Sequence, residues 1–547
     1  MPSCKQCSTA FEVTDSDRQF YARMQVPEPT VCPDCRQQRH LCQINQVNLL
    51  KRKCDATGAD IVSNYPPESP FKVYSQKHWF SDQFDGTKYG RDFDFDRPFF
   101  EQYQELAKEV PRPCLFTDFL RDENSDYTNY AGLNKNCYLI MDSDESWDCY
   151  YSYSINSCKN TMDCYRGDKL ELGYENVDCK GCFGSAFLTN SENCSDSFFL
   201  RNCIGCKNCI MCSNLQHKEY HVNNKPVSKE EYEKIKASLS SFKVLEHAKK
   251  KFDEFRLKFP QKYMVGFQNE NCTGNYLVNC KNAVECYDSR SIWDGKYLTQ
   301  IFMPVKDCMD CDEVGNSELI YNSNNLGYHC YFLRFCFHCL DEVHHSTYCN
   351  YCFHSKNLFG CIGLRGKQYC ILNKQYSKEE YEALVSKIVA HMTKTGEWGE
   401  FFPASTSAFP YNLTLAQDYY PLSREEALAQ GYSWRDEDRR DYQVATTKLP
   451  DDIKGVPDTL PNETLVCGEC GKNYKIIPQE LALYRKLNLP VARRCFLCRH
   501  RSRMKSRNPR KLYDRKCGQC KTTIQTTYAP ERPEIVYCEK CYQESMV

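Results

Sequence analysis

The two ends of this chain carry the same cysteine spacing. Cys4, Cys7, Cys32 and Cys35 read C-x2-C-x24-C-x2-C, and Cys467, Cys470, Cys495 and Cys498 repeat that pattern residue for residue. The match extends beyond the thiols at a constant offset of 463 positions: Phe11 falls on Tyr474, Val13 on Ile476, Tyr21 on Tyr484, Pro27 on Pro490 and Arg36 on Arg499. A Cys-x-x-Cys knuckle is too short to bury a core. Two of them joined by a loop fold by closing four thiolates tetrahedrally around one Zn²⁺. Cys517, Cys520, Cys538 and Cys541 form a third set with 17 residues between the knuckles. Three structural zinc ions are therefore expected. A four-thiolate site leaves no coordination position for water, so it supplies folding energy and not Lewis acidity.

Bulk composition bounds the rest. At 547 residues the chain should form several domains, and a net charge of −1 leaves any nucleic-acid contact to a local patch. The opening Met-Pro-Ser-Cys-Lys-Gln-Cys has no apolar stretch, so no secretory signal is expected, and no run of 18 apolar residues suggests a membrane span. The 38 cysteines then imply a reducing cytoplasm, with thiols on metal or in cores and not in disulfides.

Between the ribbons the cysteines recur at longer intervals. Cys286, Cys308, Cys330 and Cys352 are 22 apart, as are Cys339 and Cys361; Cys137, Cys158 and Cys179 are 21 apart, as are Cys182 and Cys203. Fixed periods of this length mark stacked coils, and the short polar-aromatic pieces between them suit brief strands joined by Asn, Asp and Gly turns. A parallel β-helix rung of about 21 residues is expected. The two halves repeat at an offset of 149: Cys203, Cys212, Tyr220 and Ser228-Lys-Glu-Glu-Tyr-Glu recur as Cys352, Cys361, Tyr369 and Ser377-Lys-Glu-Glu-Tyr-Glu. Each Ser-x-x-Glu is a capping box, so a helix should close each half, the first running through Ile235, Leu239, Phe242, Phe252, Phe255 and Phe259. The predicted fold is mainly β: two tandem short parallel β-helix-like solenoids with capping helices, flanked by small zinc-ribbon domains. Its parts are a ribbon over 1–45, an aromatic-rich α+β adaptor over 46–130, solenoids over 131–213 and 263–375, helices over 214–262 and 376–395, a connector over 396–465, and two ribbons with a basic joint over 466–547.

Three constellations are candidates for chemistry. Arg493, Arg494, Arg499, Arg501, Arg503, Lys505, Arg507, Arg510 and Lys511 cluster around the last two ribbons. Such a strip can grasp phosphates through guanidinium forks, and the alternatives are a dock for an acidic protein or a solvated linker. Cys203, Cys206, Cys209 and Cys212 form an uninterrupted three-residue series, and His338 and His344 lie in a run rich in His and Cys. The cysteine series could hold an iron–sulfur cluster or mark the corner of a β-helix, and the His/Cys run is either an extra metal site or core packing. Asp142, Asp144, Glu145 and Asp148 lie close enough for paired-carboxylate catalysis, but a solvated acidic face explains them as well. The chain has no phosphate-binding glycine loop, dinucleotide fingerprint or nucleophile elbow. The expectation is a non-enzymatic scaffold that binds RNA or a ribonucleoprotein, with a protein-interaction scaffold as the alternative and a metal-dependent or carbohydrate-active enzyme a distant third. The oligomeric state is open.

Cys4, Cys7, Phe11, Phe20-Tyr21, Pro27, Cys32, Cys35 and Arg36 resemble the zinc-ribbon class. With Lys51-Arg-Lys-Cys-Asp-Ala-Thr-Gly58, Tyr89-Gly-Arg-Asp-Phe-Asp-Phe95, Arg97-Pro-Phe-Phe-Glu101, the two Ser-Lys-Glu-Glu-Tyr caps and Arg494-Cys-Phe-Leu-Cys-Arg-His500, nearly the full length resembles a cysteine-rich zinc-ribbon protein family of candidate-phylum bacteria. The resemblance implies zinc binding and a cytoplasmic setting. It brings no activity and no catalytic residues.

Overall fold

The computed structural model describes residues 1–118, 120–436 and 441–546. Position 119 of the expected adaptor, positions 437–440 of the expected connector and the final residue of the last ribbon lie outside the described residues.

The middle of the chain is built on a three-residue rhythm. From Tyr130 onward, long runs place a left-handed residue at every third position, as at Leu133, Asn136, Leu139, Asp142, Glu145 and Asp148. Asn, Asp and Gly tolerate that conformation best, which accounts for their frequency here. The residue before each left-handed one pairs in parallel with a partner twelve positions ahead: Lys135 with Trp147, Tyr138 with Tyr150, Trp147 with Lys159. The residue after it points inward. Cys137, Ile140, Cys149, Ile155, Cys158 and Cys164 are such positions, and all are buried in one cluster.

This register explains the composition. Along the first half the ladder leaves the backbone N–H of inward residues such as Cys137 and Cys158 without a strand partner, and buried donors must be satisfied. Small polar side chains one register earlier supply the acceptor. Ser125 Oγ takes the N–H of Cys137, Ser146 Oγ that of Cys158, and Cys158 Sγ that of Leu170 at 3.4 Å. Thiols also donate to carbonyls, as Cys194 does to Cys203. The inward cysteines are thus small core residues with a weak hydrogen bond, a role that suits a narrow interior.

The expected rung of about 21 residues is corrected by this geometry. The register is 12 in the first half, and 21 is seven triplets. In the second half it lengthens to 13 where a single residue is inserted, at Ile292 with Val305, Glu318 with Tyr331 and Tyr331 with His344. One register of 13 plus three triplets gives the observed 22.

The protein is mainly sheet. A 13-stranded, largely parallel sheet runs from Gly266–Phe267 to Lys374–Gln375, and no sheet among the described residues closes into a barrel. Helices cover the ends. Ser377 makes the full reciprocal box at Lys378–Thr395, whereas Ser228 accepts from the N–H of Glu231 with no return bond from that side chain. The long helix expected after Ser228 is two helices, Lys229–Ser238 and Phe242–Arg256. The break falls where Ser240 and Ser241 turn to Asp452 and Asp451, and Ser241 then caps the second helix. No helix among the described residues is long and apolar enough to cross a membrane.

Candidate metal centres

All three cysteine quartets assemble. Within each, the four sulfurs lie within 4.8 Å of one another, as sharing one ion requires. The first knuckle of every set makes the same turn. The N–H of Ser8 reaches the Cys4 carbonyl at 2.9 Å, Gly471 that of Cys467 at 3.0 Å and Lys521 that of Cys517 at 3.1 Å. Ser8, Gly471 and Lys521 are all left-handed. In every set the second knuckle opens a helix, with Cys32, Cys495 or Cys538 at its N-cap.

Within each quartet some sulfurs are held toward the thiolate, while burial and the neighbouring sulfurs raise others, Cys35, Cys498 and Cys541 among them. Burial works against charge on Cys467, but the N–H groups of Cys470, Cys495 and Glu469 prevail and bring it down to about 6. The Thr522 hydroxyl and N–H bring Cys520 to about 6. Cys495 N–H meets Cys467 Sγ at 3.3 Å, and Cys538 N–H meets Cys517 Sγ at the same distance. Four thiols with amides aimed at their sulfurs fit a divalent ion and leave no position for a substrate.

A fourth copy of this module is present with two of its four ligand positions altered. Cys54 makes the same turn, its carbonyl taking the N–H of left-handed Gly58 at 2.8 Å. Ser75 sits at a helix N-cap and sends its N–H to Cys54 Sγ at 3.3 Å. Cys54, Thr57, Ser75 and His78 stand 463 positions before Cys517, Cys520, Cys538 and Cys541. Flanking details correspond as well. Arg52 donates to the Pro66 carbonyl and Arg515 to that of Ala529, while Val73–Tyr74 pairs with Arg112–Pro113 and Val536–Tyr537 with Gln261–Lys262. The signal was in the sequence, in Arg-Lys-Cys at 52–54 and 515–517. A search for paired Cys-x-x-Cys passes over it, because Thr57 and Ser75 hold two of the ligand positions.

The ribbons dock crosswise. The N-terminal ribbon packs on the second parallel ladder, where buried Arg36 pairs with Asp310 at 2.8 Å and His40 with Asp312 at 2.9 Å. Its C-terminal counterpart packs on the first ladder. There Arg499 pairs with Asp163 at 2.9 Å and with Glu480 at 3.4 Å, and Arg503 reaches Asp163 at 2.8 Å. Even the backbone contact is shared, Arg36 donating to the Val31 carbonyl and Arg499 to that of Arg494.

This docking divides the expected phosphate-binding strip. Arg499, Arg503 and Arg510 are buried in ion pairs, Arg510 with Asp288 at 2.9 Å, and Arg507 lies against the hydroxyls of Tyr165 and Tyr419. Arg493 lies 4.0 Å over the Phe242 ring, and Arg494 meets Glu469 at 3.2 Å. Arg501, Lys505 and Lys511 remain exposed. The strip expected from sequence is therefore not one continuous surface, since several of its guanidinia serve to attach the ribbon.

The remaining candidates are not brought into a metal group. Cys203, Cys206, Cys209 and Cys212 are inward triplet positions, each donating to a carbonyl nine residues on. Buried His338 bonds Tyr130 Oη at 2.8 Å and stacks on Tyr351, and burial with the Arg112 charge lowers it to about 3. His344 instead meets the His329 carbonyl at 3.0 Å. Among the described residues, only the three cysteine quartets satisfy the ligand geometry. Burial raises Asp142 and Asp144 to about 7, with Gln300 donating to Asp142 at 3.3 Å.

No protein-family model and no curated protein matches the chain. Among solved structures, one similar chain is a "putative acetyltransferase from Desulfovibrio desulfuricans G20", at 12% identity and a TM-score of 0.10, covering 41% of this chain and 65% of that one. A likeness this low carries no argument.

Proposed function

We propose that this protein is a zinc-dependent, non-enzymatic scaffold. In this reading the two ladders are parallel β-solenoids with twelve-residue coils, and the ribbons are rigid contact modules clamped onto them. The supporting observation is the crosswise docking of two tetra-thiol modules through buried Arg–Asp pairs. Such an arrangement fixes shape without leaving an open coordination position. Zn²⁺ is the ion that four thiolates at these spacings select.

The partner surface we favour is the exposed side of the C-terminal joint, which presents Arg501, Lys505, Lys511 and Lys516 to solvent. RNA or a ribonucleoprotein suits that chemistry, with contacts made by these residues and not by Arg499, Arg503, Arg507 or Arg510. Salt titration of a fluorescent single-stranded RNA tests the reading. Binding should weaken steeply with salt, and the triple variant Arg501→Ala, Lys505→Ala, Lys511→Ala should lower the log–log slope by about two to three. A salt-independent affinity, or a variant that binds like the parent, points instead to a protein partner.

A further inference from the structure

The C-terminal joint does not seal against the body of the protein. A cleft of about 260 Å³ lies between the two ladders, the helix Phe242–Arg256 and the joint, with Phe187, Phe199, Phe252, Tyr276 and Tyr528 among its walls. Six cationic side chains line it against four carboxylates.

Four of those cations are answered. Arg166 pairs with Asp178 and Asp288, Arg510 with Asp288, Lys249 with Glu175 and Arg256 with Asp253. Arg201 and Arg507 are different. Arg201 donates to Gln261 Oε1 at 2.8 Å and Tyr528 Oη at 3.3 Å, and Arg507 to the Tyr165 hydroxyl and to Tyr419 Oη at 2.6 Å. Neither has a carboxylate within ion-pair distance among the described residues. Asp288 acts on Arg507 and Glu534 on Arg201 only from beyond ion-pair distance, so the direct partners of both guanidinia are neutral oxygens and each keeps the capacity to take an anion.

The internal duplication shows that the fold does not require this arrangement. The residues 463 positions before Arg507 and Arg510 are Ile44 and Val47, both buried in an apolar cluster. The counterpart of Tyr528 is Tyr65, fully buried, stacked on Phe409 at 4.8 Å and bonded to Tyr351 Oη at 3.0 Å. One copy closes this place with aliphatic and aromatic packing. Its twin opens it and lines it with charge.

We propose that this cleft binds a small organic phosphate monoester carrying a planar ring. Arg201 and Arg507 take the dianionic phosphate, and the aromatic walls take the ring. The site is separate from the exposed cations of the joint and does not depend on RNA binding.

The test uses full-length, metal-loaded protein at low salt, with adenosine monophosphate, inorganic phosphate and adenosine as probes in calorimetry and thermal melting. Adenosine monophosphate should bind and raise the melting temperature with concentration, phosphate should bind at least about tenfold more weakly, and adenosine should leave the melt unmoved. Arg201→Met and Arg507→Met should each lose about tenfold or more. Where a variant loses bound metal, the comparison of adenosine monophosphate with adenosine on the parent protein decides. Silence of the nucleotide at about 10 mM, a concentration that detects even millimolar affinity, would overturn the assignment. So would equal binding of adenosine, or folded variants that both bind like the parent.

Discussion

Replacing Asp163 with asparagine should release the second ribbon from the first ladder. The Asp163 side chain is 0% exposed, lies 2.9 Å from Arg499 Nε as an ion pair and accepts a hydrogen bond from Arg503 Nη1 at 2.8 Å. After the substitution Arg499 keeps Glu480 at 3.4 Å, whereas Arg503 keeps only the Tyr151 carbonyl at 3.2 Å. Breaking a buried pair costs about 3–5 kcal/mol, because the surviving charge stays out of water without a counter-ion. With Glu480 still present and the new amide able to accept a hydrogen bond, the lower end applies. That is ~3 kcal/mol, or somewhat more than a hundredfold in the docking equilibrium. The loss should be local, since the four thiolates still hold the ribbon itself. Hydrogen exchange on metal-loaded protein should show amides in Phe496–Lys505 exchanging about a hundredfold faster, with those in Pro33–Leu41 unchanged. Asp310→Asn should reverse the pattern. Unchanged exchange in both helices would mean that these ion pairs do not attach the ribbons, and the crosswise docking argument would fail.

Other consequences are open to simpler measurements. Purified protein should carry three zinc ions per chain, and Cys470→Ser should leave two stably bound, read by elemental analysis after dialysis. Thr57→Cys with Ser75→Cys should raise the content to four, using Cys54 and His78 as the other ligands; an unchanged count would mean that the fourth copy has lost the geometry as well as the thiols. Burial raises Asp142 to about 7, above the unfolded carboxylate value, so the folded state holds that proton more tightly. Its contribution to stability therefore falls as pH rises from the unfolded value through about 7 and is level above that. Asp142→Asn should accordingly stabilise the protein by about 1–2 kcal/mol at pH 8 relative to its effect at pH 5, read from urea midpoints.

The sequence exposed the metal modules and the duplications while misjudging the unit of repetition. Cysteine intervals of 21 and 22 are the visible period, yet the physical unit is the triplet, stacked at twelve. Only a third of the residues point inward, and their identities alternate among Cys, Ser, Asn, Leu and Ile. The triplet is hidden whenever a hydroxyl or an aliphatic group takes the place of a thiol. The helix after Ser228 looked continuous because apolar spacing alone does not register a break. That break depends on Asp451 and Asp452, more than 200 positions away.

What the chain alone determined is the metal chemistry. Four thiols within some 30 residues of one another form a quartet that an ion can close whatever surrounds it, and the knuckle turn is set by a few neighbouring amides. What only the tertiary structure decided is the fate of each charge. Arg501 and Arg503 are two residues apart on one helix, and nothing nearby in sequence distinguishes them. Yet one meets water and the other meets Asp163, from 340 positions earlier in the chain. Burial turns a guanidinium from a surface free to meet a phosphate into an internal fastener, and burial depends on which distant segment arrives beside it.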